Sequence, residues 1–520
     1  MVDVPIFIDG LFHMESNLTY EQSAVVLSEE RRILCLAGAG TGKTHTMLSR
    51  INRIAQETND PSSILVLTFT NAAAYEMQSR YDCNFKESPE FRTFHSFCYN
   101  LIVNDRCVRE KIGYKNIPDI ADDLYIKYTS EIVNRSLGLK QSKVLPELSE
   151  KVDFHRKLRS KAIKQKMITD NKISFSDLCS SVCNLFVEND ESIRKYKSKY
   201  KYIFVDEFQD TDDTQYKFVE SFSESSIFLI GDAMQCLYTF RGADSSILKR
   251  LAVDPDWQVL KLTKNFRSKD QICSFANKIT ERLDGPYRFE LHSDSPGGFV
   301  DVKEVSKKFY KQSVEEFLKS FQFPEDCAIL CRTNREVQEV AEFFRMSNIE
   351  FHSKDEYSDK LKYIEIFDDD DKILSFLSSK LTHFEYSRYL KNSFLKLSKG
   401  AIYRPYDLVE DFPSVIETYQ ILQCLRSIQE TSENFLEDSC RYLEIPYNNE
   451  IDLKELSKSV NSNKSGPYVG TVHSVKGLEF DCVIVLGVNT SSFNLTSEDN
   501  LYVYYVAVTR AKKSLYVLKV

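Results

Sequence analysis

The chain has 520 residues, a length at which two to four domains are expected. Hydrophobic residues make up 42% and charged residues 28%, which is ordinary for a globular protein with a sizeable core. The net charge of -9 argues against a general nucleic-acid coat protein, although a local basic groove is compatible with it. The sequence has no long apolar run and no signal-peptide pattern, so we expect a cytoplasmic protein without a membrane span.

The cysteines form no CxxC pair and show no zinc-type spacing, although there are 13 of them. Cys179 and Cys183 are four residues apart, as are Cys327 and Cys331. We predict buried thiols in a reducing compartment, with metal ligation as the less favoured alternative.

The first chemical motif is LAGAGTGKT at residues 36–44, in which glycines alternate with small residues before Lys-Thr. The apolar run RRILCL before it is typical of a buried strand, and THTMLSRINRI after it has apolar residues at helical spacing. Strand, glycine loop and helix are the context of a phosphate-binding loop. Gly38, Gly40 and Gly42 can adopt positive φ, so that N–H groups point at an anion.

In this interpretation Lys43 holds the β- and γ-phosphates of ATP and Thr44 ligates Mg²⁺. The alternative is a flexible turn, because the strict pattern has glycine where this chain has Ala37. The predicted nucleotide-binding residues of the loop are Ala39, Gly40, Thr41, Gly42, Lys43, Thr44 and His45.

A second motif is YKYIFVDEFQDTDDTQ at residues 200–215, an apolar strand that ends in two carboxylates. Asp206 would hold Mg²⁺ through water, and Glu207 would be the general base for the attacking water. The alternative is a solvated acidic turn, which explains the later acids well and the pair at the strand end poorly. Together the two motifs predict ATP hydrolysis.

Further motifs follow in chain order and resemble superfamily-one helicases of the UvrD/Rep/PcrA type. The resemblance extends from residue 18 to residue 517, and its specificity comes from the joint order of the motifs. The segments that carry it are LTYEQSAVV (18–26), ILVLTFTNAAAYEM (64–77), FRTFHSFC (91–98), ISFSDLC (173–179), FLIGDAMQCLYTFRGAD (228–244), LTKNFRS (262–268), AILCRTN (328–334), GTVHSVKGLEFDCVIV (470–485) and YVYYVAVTRAKKSLYV (502–517).

The resemblance implies an α/β fold with two RecA-like P-loop motor domains and a helical insertion in each. The first motor domain would comprise residues 1–82 and 197–268, with its insertion at 83–196. The second would comprise residues 269–365 and 466–520, with a reduced insertion at 366–465.

The resemblance also assigns the remaining nucleotide contacts. Arg267 and Arg510 occupy the two arginine positions that supply positive charge to the γ-phosphate. Gln235 resembles the γ-phosphate sensor. The other implied contacts are adenine reading by Gln22, adenine stacking by Phe266 and ribose contact by Glu479.

For single-stranded or tailed DNA, the resemblance implies stacking on Phe69 and Phe240. One departure is Ala72, where relatives usually have lysine, so one phosphate contact is expected to be missing or made elsewhere. The basic stretch at 151–166, with seven Lys/Arg and one acid, is either a DNA-backbone contact or a solvated helix face. The implied DNA-backbone contacts are Thr93, His95, Arg332, Asn334, Thr471 and His473.

The leading functional prediction is an ATP-driven 3′ to 5′ translocase and helicase on single-stranded DNA, in repair or antiphage defence. The alternative is a DNA- or nucleotide-sensing ATPase subunit that regulates a nuclease partner and unwinds little. The short second insertion favours that alternative, and compact chains of this kind resemble the helicase-like subunit of Gabija-type antiphage systems. The sequence shows no nuclease cluster of its own.

Overall fold

The computed structural model divides by internal contacts into two compact units. The first comprises Met1–Ile112, Leu178–Phe351 and Ser465–Val520, and the second comprises Gly113–Asp177 and His352–Lys464. For residues 149–158 only the backbone is described. The described residues are 18–81, 85, 87–121, 126, 129–130, 132–133, 149–237, 245–282, 289–353, 364, 425, 428–429, 438–439 and 466–520.

The strands and helices alternate along the chain, as expected for an α/β protein. The strands are β1 (Arg32–Ala37), β2 (Ile64–Thr68), β3 (Glu90–Thr93), β4 (Asp119–Ile120), β5 (Lys172–Ile173), β6 (Tyr202–Val205), β7 (Ser226–Gly231), β8 (Gln258–Leu262), β9 (Phe299–Glu304), β10 (Cys327–Cys331), β11 (Tyr468–Thr471), β12 (Phe480–Val488) and β13 (Ala511–Lys519). The helices are α1 (Tyr20–Leu27), α2 (Lys43–Thr58), α3 (Asn71–Arg80), α4 (Phe94–Asn104), α5 (Arg106–Lys111), α6 (Ser149–Thr169), α7 (Phe175–Val187), α8 (Arg194–Lys199), α9 (Asp213–Glu220), α10 (Ser245–Leu251), α11 (Asp270–Thr280), α12 (Tyr310–Ser320), α13 (Asn334–Met346) and α14 (Glu498–Val508).

The first unit contains a six-stranded parallel sheet in the order β3-β2-β6-β7-β1-β8. Its central strands are continuous apolar runs because both faces of a parallel sheet are covered by helices. Strand β2 is buried at every residue, for example. Helix α2 packs Met47, Ile51 and Ile54 into this core, since these residues recur at helical spacing.

The same unit contains a second parallel sheet in the order β11-β10-β12-β13-β9. Strand β10 (CAILC) is buried at every residue, and its Ile329 packs with Val340 and Phe344 of α13. Two parallel sheets with helices between their strands confirm the predicted α/β class.

The predicted domain boundaries stay a prediction, although two observations bear on them. Strand β3 lies within the range 83–196 predicted as a helical insertion, and it pairs with β2 at the edge of the first sheet. The range 366–465 lies almost entirely outside the described residues.

In the second unit, β4 and β5 form a short parallel pair and α6 carries the basic stretch. The described side chains of that stretch include Lys161, which is exposed, and Lys166, which pairs with Asp170 at 2.5 Å. A DNA-backbone contact by this helix therefore stays a prediction. Among the described residues, no helix is both long enough and apolar enough to cross a membrane.

Cys179, Cys183, Cys327 and Cys331 are all buried and free, which confirms the prediction of buried thiols for these four, whereas Cys107 is exposed. Cys98 lies beside the first pair, and the three Sγ atoms are within 4.8 Å of one another. Metal ligation stays the alternative for that group of three.

Candidate functional site

The glycine loop at 38–42 connects the end of β1 to the start of α2, as the sequence predicts. Gly40 and Gly42 have positive φ, at 68° and 82°. Gly42 is the N-cap of α2 and offers no side chain to the first N–H groups of the helix. These N–H groups and the positive end of the helix dipole form a site for an anion.

Gly38 differs from the prediction, because its φ is not positive. Its N–H instead continues the sheet by donating to the carbonyl of Leu262 at 3.2 Å. A Cβ at Gly38 would lie 2.4 Å from Cδ2 of Leu291, so close packing is what requires glycine there.

The segment after β8 packs directly against the loop. Asn265 donates its side-chain amide to the carbonyl of Ala39 at 2.7 Å. The N–H of Phe266 donates to the carbonyl of Gly40 at 2.8 Å. A Cβ at Gly40 would lie 2.8 Å from Cβ of Arg267, so no larger residue fits at this contact.

Lys43 and Thr41 both turn toward the backbone of the loop. The Nζ of Lys43 donates to the carbonyls of Ala37 and Gly38, at 3.4 and 3.2 Å. Thr41 donates its hydroxyl to the carbonyl of Gly38 at 2.8 Å. The ammonium group therefore lies across the mouth of the predicted phosphate cradle.

The two predicted catalytic carboxylates follow β6 at the same edge of the sheet. Asp206 is 7% exposed, and its Oδ1 is buried without a hydrogen-bond partner. Glu207 has φ 49° and ψ 43°, a left-handed conformation that costs a non-glycine residue free energy. Such strain is often found at functional sites, where it directs a side chain against the local preference.

The electrostatic surroundings shift the pKa values of the two carboxylates in opposite directions. Burial, and then the charge of Glu207, raises the pKa of Asp206. Burial alone would also raise the pKa of Glu207, but the charges of Lys476 and Lys43 and the hydrogen bond from Gln209 lower it below its usual range. Glu207 is therefore ionised at neutral pH and able to accept a proton.

Arg510 directly precedes β13 of the second sheet and contacts Gln235, which lies in the short 3₁₀ helix after β7 of the first sheet. Its Nη2 donates to Oε1 of Gln235 at 3.2 Å, and Gln235 donates to Asp232 at 2.7 Å. Arg510 is only 2% exposed. Burial, and next the charge of Arg267, lowers the pKa of Arg510 to about 9.

Arg267 and Glu479 form an ion pair at 2.6 Å, although the sequence assigns them separate roles. Phe266 is 56% exposed, and the Nζ of Lys264 lies 5.6 Å from its ring centroid. An exposed aromatic face beside the loop is suited to stacking with a base.

Gln22 lies next to the same loop. Its Oε1 accepts from the N–H of Thr19, and its Nε2 donates to the carbonyl of Thr41 at 3.2 Å. These bonds fix the side chain beside Gly42, where it is 3% exposed. Thr44 is half-buried and His45 is exposed at the start of α2.

The residues around the loop fit a nucleotide phosphate and a divalent cation. The loop supplies donors for an anion, and the unpartnered carboxylate oxygen of Asp206 is a hard oxygen ligand of the kind Mg²⁺ prefers. Thr44 supplies a second oxygen at the first turn of α2.

Comparison with known proteins agrees with this geometry. Residues 18–115 and 109–256 match the UvrD/REP helicase N-terminal domain, and residues 372–520 match the UvrD-like helicase C-terminal domain. The chain is 26% identical to the ATP-dependent DNA helicase PcrA of Staphylococcus epidermidis, over 96% of this chain and 83% of that relative. For the PcrA of Staphylococcus aureus the identity is 25% with the same coverage. The chain belongs to the UvrD/Rep helicase family.

In this UvrD/Rep chain, the predicted DNA contacts of the first sheet follow two of its strands. Phe69 comes directly after β2 and is half-buried. Thr93 ends β3 and caps α4, accepting from the N–H of Ser96 at 3.0 Å, and His95 follows within the first turn. Ala72, the departure from the family pattern, is exposed near the start of α3.

The predicted contacts of the second sheet follow β10 and β11 in the same way. Arg332 donates to Asn500 at 2.9 Å, and Asn334 is exposed at the start of α13. Thr471 caps the short 3₁₀ helix Val472–Val475, which contains His473. Ligands of open parallel sheets bind at the carboxyl ends of the strands, where all of these residues lie. Phe240 lies outside the described residues.

Sequence reasoning missed several residues that the structure brings into the site. Each lies in or directly beside a motif, so the signal was present, but a role could be assigned only from contacts far apart in sequence. They are Gln209, Asp210, Asp232, Asn265 and Lys476.

Proposed function

We propose that this helicase-family protein hydrolyses ATP on single-stranded DNA, moves 3′ to 5′ and unwinds duplex DNA. The supporting observation is the contact between Arg510 of the second sheet and Gln235 of the first, at 3.2 Å. This contact brings the buried guanidinium of Arg510 next to the first sheet, whose strands lead into Lys43 and Glu207. ATP hydrolysis in one chain requires both halves, because each supplies charge that the other lacks.

The residues around the first sheet would bind the phosphates and the cation. Lys43 would exchange its carbonyl contacts for phosphate oxygens, and the N–H groups from Gly40 to Thr44 would hold them. Thr44 and Asp206 would hold Mg²⁺, which neutralises charge on the phosphates when bound. The remaining loop residues are assigned to nucleotide contact on the same basis.

Glu207 would orient and deprotonate the attacking water. Its lowered pKa keeps it ionised near neutral pH, and Gln209 holds one of its carboxylate oxygens. A fixed, ionised carboxylate loses little entropy when it takes the proton of a water molecule.

Arg510 and Arg267 would stabilise the charge that develops on the γ-phosphate, with Gln235 sensing its presence. Arg510 needs no desolvation at the moment of reaction because it is already buried. Arg267 is held by Glu479, so contact of Glu479 with a ribose requires that ion pair to open or to be shared.

The adenine base of ATP would lie between Phe266 and Gln22. Phe266 offers an exposed face for stacking, and Gln22 is positioned by the backbone of the loop. This arrangement recognises a planar base from one face and one edge.

DNA would pass along the carboxyl ends of both sheets. Phe69 and Phe240 are proposed as stacking residues, which hold bases without reading sequence. The proposed backbone contacts are Thr93, His95, Arg332, Asn334, Thr471 and His473.

The first test is steady-state ATP hydrolysis with and without single-stranded DNA, for the wild type and Glu207→Gln. We expect DNA to stimulate the wild type and the variant to lose turnover by about 10²-fold or more, as for removal of a general base. Nucleotide binding by the variant, measured by fluorescence titration, should persist. Equal turnover of both proteins would exclude Glu207 as the base.

Direction is tested on duplexes with a single 3′ or 5′ tail of equal sequence. Unwinding of the 3′-tailed duplex alone supports movement 3′ to 5′. Unwinding of the 5′-tailed duplex alone would reverse the proposed polarity.

The role in repair or in antiphage defence, and the nuclease partner of a Gabija-like complex, are proposals that rest on sequence resemblance. Affinity purification from the native host tests them directly. Co-purification of a nuclease in fixed ratio, with phage sensitivity on deletion, supports defence. Recovery of the chain alone, with sensitivity to DNA damage on deletion, supports repair.

A further inference from the structure

Lys476 connects the second sheet to the acidic end of β6. It follows the 3₁₀ helix Val472–Val475, and its Nζ forms an ion pair with Asp210. The same Nζ lies 3.9 Å from Oε2 of Glu207. The side chain of Lys476 is 12% exposed and that of Asp210 is 1% exposed, so water screens this pair only weakly.

Asp210 is tied in turn to the candidate base. Its N–H donates to the carbonyl of Glu207 at 2.9 Å, within the turn Phe208–Asp210. Lys476 therefore contacts both ends of the turn that holds Glu207 in its left-handed conformation. A change in the position of Lys476 would be transmitted to the Glu207 carboxylate by charge and by backbone.

Polar contacts continue from Glu207 across the first sheet. Gln209 donates to Glu207 and accepts from the N–H of Asp232 at 2.9 Å. Asp232 accepts from Gln235, which accepts from Arg510. The region of the second sheet thus contacts this end of the first sheet through Lys476 as well as through Arg510.

The segment that bears Lys476 also bears two of the proposed DNA contacts. Thr471 caps the 3₁₀ helix by accepting from the N–H of Ser474, and the N–H of Lys476 donates to the carbonyl of His473 at 3.4 Å. Only two residues separate His473 from Lys476. A phosphate bound at Thr471 or His473 would therefore act on the backbone that positions Lys476.

The geometry points to Lys476 as a positioning residue that couples DNA binding to ATP hydrolysis. It holds the Glu207 turn through Asp210, and DNA at the 471–473 segment fixes it in place. This inference rests on the proposed function, since it names the regulation of the same site. Lys476 itself touches neither the reacting atoms nor the DNA in this role.

The test compares kcat and KM for ATP, with and without single-stranded DNA, in the wild type, Lys476→Met, Lys476→Arg and Asp210→Asn. We expect Lys476→Met to lower the stimulation of kcat by DNA by about tenfold, with KM for ATP changed less than about threefold. Lys476→Arg should restore most of the stimulation because it keeps the charge. Asp210→Asn should cause the same loss of stimulation by DNA, because it removes the charge that pairs with Lys476 although the lysine itself is kept.

The double variant Lys476→Met with Asp210→Asn decides whether the two residues act as one unit. The loss should then be no greater than that of Lys476→Met alone. The matched control is Lys513→Met, an exposed lysine that pairs with Asp481 in the neighbouring strands. It should leave stimulation unchanged, and all variants are checked for a wild-type thermal unfolding midpoint.

Two failures are distinguishable. A wild type without DNA-stimulated hydrolysis would overturn the proposed function and the inference together. A stimulated wild type with equally stimulated Lys476→Met and Asp210→Asn would overturn the inference and leave the motor intact. Additive losses in the double variant would also overturn it, because they would show independent effects.

Discussion

Arg510 illustrates at the residue scale how far one side chain can serve both structure and chemistry. Its guanidinium donates to Val506 at 3.1 Å, to Leu478 at 3.3 Å and to Gln235 at 3.2 Å. Val506 and Leu478 lie in segments next to strands of the second sheet, whereas Gln235 follows β7 of the first sheet. The arginine is therefore held in place by the protein itself, which would reduce the reorganisation needed for catalysis if Arg510 acts as the proposed arginine finger.

We predict that Arg510→Ala lowers ATP turnover by about 10³-fold or more, the usual effect of losing an arginine finger. Affinity for a nonhydrolysable ATP analogue should change far less, because the phosphate loop remains. Turnover is measured by phosphate release and affinity by titration calorimetry. Arg335→Ala, which removes an 87% exposed arginine, is the control and should be neutral. Retained turnover in Arg510→Ala would assign the finger elsewhere.

The sequence predicted those site residues whose role depends on neighbours in the chain. Lys43 and Thr44 follow directly from a glycine loop between a strand and a helix. Lys476 could not be found in this way, because its partner Asp210 is 266 residues distant in sequence. Asn265 likewise bonds to Ala39 across 226 residues. Such pairs exist only once the sheets are assembled.

At the scale of elements, helix α2 after the phosphate loop is bonded to α1, the first helix among the described residues. Arg50 in α2 donates to the carbonyls of Val25, Val26 and Ser28, at 2.7, 3.2 and 2.7 Å. These carbonyls end α1, where the helix leaves acceptors unsatisfied. Because α1 carries Gln22, this buried arginine also fixes the predicted base-reading residue.

We predict that Arg50→Met destabilises the protein by about 2–4 kcal/mol, since it leaves buried carbonyls without a donor. The measurement is the free energy of unfolding from urea denaturation. Arg80→Met is the control, because Arg80 forms an exposed pair with Glu76 and its loss should cost less than about 0.5 kcal/mol. Equal effects of the two substitutions would contradict the capping role of Arg50.

Element boundaries were predictable where a strand was apolar and a cap was polar. The apolar run before the glycine loop became β1, and the apolar residues after it became one face of α2. Strand β3 was not anticipated, since EFRT has only four residues and three of them are polar. Its place in the sheet comes from pairing with β2, a tertiary effect that periodicity does not encode.

At the scale of the whole molecule, the charge is acidic while the proposed substrate is a polyanion. The net charge of -9 repels DNA at long range, so binding depends on a few local cations along the strand ends. Affinity should accordingly fall as salt rises, by a slope of about 0.7 per phosphate contact for a single strand.

We predict that Arg332→Gln reduces the salt dependence of DNA affinity by the slope of about one phosphate contact, because Arg332 lies at the carboxyl end of β10. The measurement is fluorescence anisotropy of labelled single-stranded DNA at several salt concentrations. Arg335→Gln, three residues further along and paired with Glu339, should leave the slope unchanged. An unchanged slope for Arg332→Gln would remove Arg332 from the DNA path.

The neighbouring strands β10 and β11 are separated by more than a hundred residues of chain, yet the two ends of that segment meet. A Cβ at Gly466 would lie 2.0 Å from the carbonyl oxygen of Glu350. The chain therefore leaves the region of the second sheet and re-enters it at neighbouring positions. The entropy of closing a long loop depends only on the logarithm of its length, at about 0.6 kcal/mol for each doubling. The second sheet can therefore accept inserted segments of very different sizes at almost constant stability, and evolution can change the insert without redesigning the motor.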